Sequence, residues 1–120
     1  MIKTKGLTHL NLSVRDIHKS LKFYQEAFGM EVQFWVGDSM VFLNTPGCND
    51  ILTLQQAKVG EQVGPGGGFG HFGFQLDDDD LGSAIKEVEA AGGVLLNRGE
   101  HAPGQPYAYF KDFDGYVIEI

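Results

Sequence analysis

An internal repeat constrains the fold of this chain more than any other feature of its sequence. The segment GLTHLNLSVRD, residues 6–16, aligns with GFGHFGFQLDD, residues 68–78, at a constant offset of 62. The alignment places His9 on His71, and each copy alternates as a strand with two different faces does. A chain of 120 residues with this repeat is expected to fold as two similar halves of one domain.

An amphipathic helix is predicted after each copy of the repeat. Asp16 is placed to cap the first helix, and Gly29 is placed to end it. The acidic run at residues 77–80 precedes the second helix, which ends at Gly92 and Gly93. The apolar residues at helical spacing are Ile17, Leu21, Tyr24 and Phe28 in the first half, and Leu81, Ile85 and Val88 in the second. Each helix therefore has one face that must lie on a sheet.

Three short strands follow each predicted helix. They are MEVQFWV, SMVFLN and DILTLQQ in the first half, and GVLLNR, YAYFKD and GYVIEI in the second. The sequence thus predicts an α+β fold in one domain, residues 1–120, built from two βαβββ modules at about residues 6–56 and 68–120. The glycine-rich segment KVGEQVGPGGG links the modules. With the helices on the outer face, the modules are expected to form a curled mixed sheet around a central cavity.

Three polar side chains are predicted to face this cavity together. They are His9, His71 and Glu119, and the repeat places Thr53 opposite Glu119 as the fourth corner. Two imidazoles and one carboxylate can bind a divalent metal ion and leave coordination positions open. An inward carboxylate also needs a cationic partner, because burying an unpaired charge is costly. For either histidine alone, an uncharged ring hydrogen-bonded in the core or at a subunit contact is the competing interpretation.

Four further residues are candidates for the wall of the substrate pocket. Gln55 and Gln75 flank Thr53 and Glu119 on the cavity face and could orient ligands or substrate. Trp35 and Phe42 are candidates for an apolar wall, although core packing explains them equally well.

Charge and cysteine content limit the partners and the compartment. The net charge of −7, from 16 acidic and 9 basic residues, disfavours a nucleic-acid partner. No stretch is long and apolar enough to predict a membrane span, and the first ten residues lack the apolar core of a signal peptide. The single cysteine, Cys48, excludes an internal disulfide, so the expected location is the cytoplasm.

The residues resemble the vicinal oxygen chelate superfamily over essentially the whole chain. The segments that carry the resemblance are HLNLSVRDIHKSLKFYQEAFGMEV, GHFGFQLDD and YFKDFDGYVIEI. That superfamily has the glyoxalase/bleomycin resistance/dioxygenase fold and includes glyoxalase I, fosfomycin-resistance thiol transferases, extradiol dioxygenases and metal-free bleomycin-binding proteins. The resemblance implies that His9, His71 and Glu119 occupy the metal-binding positions of the enzymes.

Two departures from the family pattern restrict the activity that the resemblance implies. Thr53 falls where glyoxalase I carries a fourth, glutamate ligand, which argues against the glyoxalase I mechanism. The segment RGEHAPGQP lacks the serine-bearing part that binds potassium in fosfomycin-resistance transferases, which disfavours that activity.

Tyr109 matches a tyrosine that approaches the substrate in fosfomycin-resistance enzymes. Tyr109 and His101, the latter in a predicted flexible loop, are the candidate catalytic donors or acid–base groups.

The predicted function is a metal-dependent enzyme for a small substrate with neighbouring oxygens. Its chemistry would be dioxygenase-like, or glyoxalase-like as in an isomerase or lyase. Fe²⁺ or Mn²⁺ is favoured as the metal, and Ni²⁺, Co²⁺ or Zn²⁺ would suit the isomerase chemistry. The alternative is a metal-free or metal-assisted protein that sequesters an aromatic antibiotic or metabolite. The resemblance also implies a homodimer, with or without exchange of modules between the chains.

Overall fold

The structure, a computed structural model, describes residues 1–77 and 80–120. Within them the chain forms the predicted order βαβββ twice. The first half contains β1 (Leu10–Val14), α1 (Ile17–Phe28), β2 (Glu31–Val36), β3 (Met40–Asn44) and β4 (Leu52–Gln56). The second half contains β5 (Phe72–Gly73), α2 (Leu81–Ala90), β6 (Val94–Ala102), β7 (Gln105–Lys111) and β8 (Val117–Glu119).

Each half carries its own four-stranded mixed sheet. The strand order is β1-β4-β3-β2 in the first sheet and β5-β8-β7-β6 in the second. In both sheets the first strand pairs in parallel with the last, and the neighbouring pairs beyond it are antiparallel. The identical order in the two sheets confirms the fold class that the repeat predicts.

The ends of the two helices follow from capping chemistry. Asp16 accepts a hydrogen bond from the backbone N–H of Lys19, and Gly29 closes α1 in the left-handed conformation, at φ +64°. Asp80 caps α2 by accepting from the Ser83 N–H at 2.9 Å. Asp78 and Asp79, in the middle of the predicted acidic run, lie outside the described residues. Neither helix is long and apolar enough to cross a membrane, as judged on the described part of the chain.

The buried core lies between the helices and the sheets. Strands of both sheets contribute alternate residues to it, as β3 does with Val41 and Leu43 and β7 with Ala108 and Phe110. The largest side chains that are almost fully buried are Tyr24, Phe23, Phe110, Leu12, Leu43, Leu54 and Ile118. Because the helices cover only one face of each sheet, the opposite faces remain available for polar residues.

Two hydrogen bonds from tyrosines join the halves. The Tyr24 hydroxyl on α1 donates to Asp112 Oδ2 at 2.7 Å, in a buried position. The Tyr116 hydroxyl donates to the Ser13 carbonyl at 2.8 Å. The turn after β7 is therefore anchored to the first helix and the first strand.

Two segments of the second half differ from their sequence predictions. Within residues 68–77, the described part of the predicted strand at 68–78, only Phe72 and Gly73 form a strand, β5, and Gly68 at φ +106° is outside the extended region. The predicted flexible loop at 98–106 is instead a β-hairpin. Strand β6 continues to Ala102, and the turn uses Gly104 at φ +78°.

Candidate metal-binding site

Glu119 lies at the centre of a polar cluster on the second sheet. It is on β8, where it is paired with Gly73 of β5 on one side and Tyr109 of β7 on the other. Its side chain is 24% exposed, on the face that the helices leave free. The backbone of Glu119 is thus held on both sides, and the direction of its carboxylate is set by the sheet.

Two histidines contact different oxygens of this carboxylate. His71 Nε2 lies 3.1 Å from Oε2, and His101 Nε2 lies 2.5 Å from Oε1. The sequence predicts that His71 and Glu119 share a face, and the structure brings their side chains into contact. The contact with His101 follows from the hairpin, which carries His101 on a strand rather than in a loop.

Aromatic rings surround the three side chains. His71 meets the Tyr109 ring edge-on, at 5.0 Å between centroids. His101 stacks on Tyr107 at 4.2 Å with 25° between the planes, and Tyr107 contacts Tyr109 at 5.1 Å. The sequence interpretation missed Tyr107, although its spacing of two residues from Tyr109 places both on the same face of a strand.

The charges of the cluster shift two pKa values in opposite directions. The hydrogen bond from His101 lowers the pKa of the Glu119 carboxyl; partial desolvation opposes this shift, and the nearby Tyr109 hydroxyl and His71 support it. Desolvation raises the pKa of Tyr109, and the Glu119 carboxylate raises it further. At neutral pH, Glu119 is therefore ionised and the Tyr109 hydroxyl keeps its proton.

Gly73 gives Glu119 the space it needs. A Cβ at position 73 would lie 3.0 Å from the Glu119 carbonyl oxygen and 3.4 Å from Glu119 Cβ. Both distances are at or inside normal contact, so a side chain here would press on the backbone that carries the carboxylate.

Gly73→Ala is therefore expected to lower the free energy of unfolding by about 1–3 kcal/mol. Gly70→Ala is the matched control, because a Cβ at position 70 has nothing within 4 Å, and we expect it to change stability by less than about 0.5 kcal/mol. Urea unfolding of the two variants and the wild type measures the difference. Equal effects at the two glycines would show that Gly73 is not crowded by Glu119.

His9, the third predicted ligand, does not join this cluster within one chain. It directly precedes β1, where its Nδ1 is 2.8 Å from Thr8 Oγ1 and its ring is 6.5 Å from that of Phe42. His9 and His71 line one cavity of about 460 Å³ between the halves, but Glu119 does not line it. Over residues 1–77 and 80–120, no three His, Cys, Asp or Glu side chains are grouped to hold a metal ion.

The pair at Glu119 nevertheless fits a divalent ion. Two adjacent ligands that are each about 2.1 Å from an ion lie about 3 Å apart. His71 Nε2 and Glu119 Oε2 are separated by 3.1 Å. A neutral imidazole and a carboxylate are also the donor types that ions such as Mn²⁺ or Fe²⁺ accept. His71 and Glu119 can therefore hold one ion together.

On the first sheet, the face without helices carries Thr53 and Gln55. Thr53 is 2% exposed, and its hydroxyl has no hydrogen-bond partner among the described residues. Gln55 Oε1 accepts a hydrogen bond from Asn11 Nδ2 at 3.1 Å. Gln75, the equivalent candidate in the second half, is exposed two residues after β5.

A β-bulge in β2 decides which aromatic residues face the same way as His9. The register shifts between Val32 and Phe34, so that Phe34 and not Trp35 is on the face of Phe42. Phe34 stacks on Phe42 at 4.4 Å and is 52% exposed. Trp35 lies on the opposite face, against His18 of α1. The apolar wall thus contains Phe42 with Phe34, in place of the predicted Trp35.

Comparison with known proteins gives a family and several relatives. A family model described as "Glyoxalase/Bleomycin resistance protein/Dioxygenase superfamily" matches residues 6–120. The chain is 34% identical over 88 residues to a trivalent organoarsenical cleaving enzyme of Bacillus sp. (strain MD1), which covers 72% of this chain and 51% of that protein. The match therefore spans about half the length of that relative.

Other relatives align over most of both chains. A probable lactoylglutathione lyase of Vibrio parahaemolyticus is 30% identical over 125 residues, covering 95% of this chain and 88% of that protein. Among solved structures, a variant of the fosfomycin resistance protein FosX from Listeria monocytogenes was crystallised with Mn(II) and 1S,2S-dihydroxypropylphosphonic acid. It superposes with a TM-score of 0.77 at 23% identity, over 98% of this chain and 89% of that one. At this identity the similarity establishes the fold.

Proposed function

Because the chain belongs to the Glyoxalase/Bleomycin resistance protein/Dioxygenase superfamily, we propose that it is a metal-dependent enzyme. Its substrate is a small molecule with two neighbouring oxygens, and its chemistry is dioxygenase-like or glyoxalase-like. The observation that carries the proposal is the Glu119 carboxylate between two imidazoles, with His71 and Glu119 separated as two ligands of one ion are. The predicted cytoplasmic location stays part of the proposal, supported by a single free cysteine, Cys48.

His9, His71 and Glu119 are the proposed metal ligands. Two imidazoles and a carboxylate are the donor set typical of Fe²⁺ or Mn²⁺ sites with open positions, and Ni²⁺, Co²⁺ or Zn²⁺ would suit the isomerase chemistry. The Mn(II) complex of the FosX relative supports the choice of a divalent metal. When bound, the ion would act as a Lewis acid toward the neighbouring oxygens of the substrate.

Tyr109 is the proposed proton donor beside the ligands. Its ring touches His71 and its hydroxyl lies near Glu119, so it is within reach of a molecule bound at this cluster. The raised pKa keeps the proton on Tyr109 Oη at neutral pH. Tyr109 can therefore donate a hydrogen bond to a substrate oxygen and hold that oxygen in place as negative charge develops on it.

The first sheet supplies the rest of the proposed pocket. Gln55 offers a half-buried polar group, and the Thr53 hydroxyl is buried and unpaired among the described residues. Phe34 and Phe42 supply a flat apolar wall next to His9. Gln75 is retained as an exposed polar group two residues after β5, whereas Trp35 is not retained because it lies against His18 of α1.

We infer that the active molecule is a homodimer in which His9 of one chain completes the site of the other. Within one chain His9 contacts Phe42 and Thr8 and is absent from the contacts described for Glu119. Phe34 and Val36 on β2 are each 52% exposed in the single chain. A second copy can cover such apolar surface and bring its own His9 to Glu119.

Mixing two variants tests this arrangement. His9→Ala and Glu119→Gln are each expected to lose stoichiometric Mn(II) binding as pure proteins. Random pairing of the two makes half of the dimers mixed, and each mixed dimer has one complete site, so about a quarter of all sites should recover Mn(II). Elemental analysis of co-expressed, purified protein measures the recovery. If the site were formed within one chain, every chain would lack a ligand and no metal would return.

A substrate panel with the metal-loaded protein tests the reaction. Catechols in air report dioxygenase chemistry, and adducts of methylglyoxal with thiols report glyoxalase-like chemistry. Fosfomycin and a trivalent organoarsenical enter the panel because relatives are named for them. Turnover that disappears in His71→Ala would support the proposal, and a wild-type protein without a stoichiometric divalent ion would contradict it.

The stacked aromatic pair Phe34 and Phe42 favours one second candidate function. Phe34 and Phe42 form a stacked surface that could bind a flat aromatic molecule without any reaction. A sequestering protein of this kind would bind aromatic ligands equally well with and without metal. Tight binding that survives both chelation and His71→Ala, with no turnover, would favour sequestration over catalysis.

A further inference from the structure

We propose that His101 is a positioning residue that makes Glu119 bind the metal through one oxygen. The inference rests on the proposed metal site and gives His101 a different role from the acid–base function predicted for a loop histidine. The supporting observation is that the two histidines contact different oxygens of the Glu119 carboxylate: His71 contacts Oε2, and His101 contacts Oε1.

The position of His101 depends on the local backbone of the hairpin. The pairing of β6 with β7 shifts between Glu100 and Ala102, which leaves His101 as the extra residue of a bulge. Because Gly99 is paired with Tyr107, His101, two residues further along the strand, lies on the same face, and its ring stacks on Tyr107. Tyr109 is paired with Glu119 on the same face, so the His101 side chain is within reach of the carboxylate.

Tyr107 can support the His101 ring because Gly99 lies opposite it. A Cβ at position 99 would be 2.9 Å from the Tyr107 hydroxyl oxygen and 3.1 Å from its Cζ. The Tyr107 ring therefore lies across the glycine, where any other residue would displace it. A continuous set of contacts thus runs from Gly99 through Tyr107 and His101 to Glu119 Oε1.

Occupation of Oε1 by a hydrogen bond restricts how the carboxylate can bind an ion. A carboxylate with both oxygens free can give both to one ion, whereas one that accepts a strong hydrogen bond at Oε1 gives only Oε2. Oε2 is the oxygen beside His71. His101 would thereby keep one more coordination position open for the neighbouring oxygens of a substrate.

His101 is not a ligand in this proposal. The two histidines approach different oxygens of Glu119 rather than a common point. In the described part of the chain, no three such side chains are grouped around one metal position. The geometry thus separates one histidine that shares the ion with Glu119 from one that orients Glu119.

Two substitutions of His101 distinguish the effect of its N–H donor from the effect of its side-chain volume. His101→Leu fills much of the space but cannot donate, and His101→Gln keeps a terminal N–H group of similar reach. His18→Leu is the matched control, because His18 is also an exposed histidine and lies on the other face of the first sheet against Trp35. The His101 side chain is 53% exposed, so neither substitution at this position leaves a buried cavity.

Mn(II) titration and the visible absorption of the Co(II)-loaded protein are the measurements. We expect His101→Leu to weaken Mn(II) binding by about 10- to 100-fold, as the loss of a partner that orients a ligand does. The Co(II) absorption of this variant should weaken, because a second carboxylate oxygen raises the coordination number. His101→Gln should restore both properties most of the way to the wild type, and His18→Leu should change neither.

Two results would overturn the proposal. An unchanged affinity and spectrum in His101→Leu would show that His101 does not orient Glu119. A complete loss of Mn(II) in both His101 variants would make His101 a ligand. In either case the wild type still binds metal and the proposed function stands, whereas a wild type without metal would overturn both.

Discussion

Glu119→Gln is expected to abolish stoichiometric binding of a divalent ion while the chain stays folded. Glutamine has the same shape but no negative charge, so the charge that attracts the ion is lost. A residue that only orients a ligand costs about 10- to 100-fold in affinity, and the loss of a ligand should exceed about 100-fold. Elemental analysis and Mn(II) titration of the purified variant measure the effect.

Glu100→Gln is the control for this substitution. Glu100 is also a carboxylate on the second sheet, and it is exposed opposite Pro106. We expect it to bind Mn(II) as the wild type does, although both variants change the net charge equally. If Glu119→Gln retained full Mn(II) binding, the carboxylate would not be a ligand, and the proposed site would have to be abandoned.

Tyr24→Phe is expected to lower the free energy of unfolding by about 1–3 kcal/mol. The substitution removes the hydroxyl that donates to Asp112 Oδ2 at 2.7 Å. Asp112 is 6% exposed, so water cannot easily replace the lost donor. The hydrogen bond also joins α1 to the turn after β7, and its loss weakens the contact between the two halves. Urea unfolding at neutral pH measures the change.

The effect of Tyr24→Phe should depend on pH. Burial raises the pKa of Asp112 above the ordinary value of 3.8, and the hydrogen bond from Tyr24 opposes that rise. A carboxyl with a raised pKa stabilises the fold when protonated, and that stability is lost as the pH rises through its folded pKa. Without the Tyr24 hydroxyl the pKa rises further. The loss of stability should thus be largest at neutral pH and shrink as the pH falls through the pKa of Asp112.

Tyr107→Phe is the control for Tyr24→Phe, because it also removes a tyrosine hydroxyl but not the hydrogen bond to Asp112. Tyr107 is half-buried on the second sheet, and we expect its substitution to change stability by less than about 0.5 kcal/mol. A Tyr24→Phe variant as stable as Tyr107→Phe at neutral pH would show that the buried bond to Asp112 contributes nothing to the fold.

Local sequence patterns were sufficient to predict the order of the helices and strands and part of the candidate site. Helix spacing, the cap at Asp16 and the glycine stop at Gly29 depend on neighbouring residues, so they are readable without the fold. The repeat likewise predicts that His71 and Glu119 lie on one face, and their side chains are 3.1 Å apart. Both predictions use only alternation and a constant offset of 62.

The sequence pattern did not predict two side-chain positions that depend on strand pairing. The bulge in β2 places Phe34 rather than Trp35 on the face beside Phe42, and His101 reaches Glu119 because residues 98–106 form a hairpin instead of the predicted loop. A bulge depends on the register with the partner strand, which periodicity within one strand does not report.

The sequence by itself determined two βαβββ halves, their helix ends and the pairing of His71 with Glu119 on one face, because short-range periodicity and capping encode these features. Only the tertiary structure decided that His101 reaches Glu119 and that His9 stands apart from it. These positions depend on strand register and on how one sheet lies against the other, which are set by contacts between residues far apart in the chain.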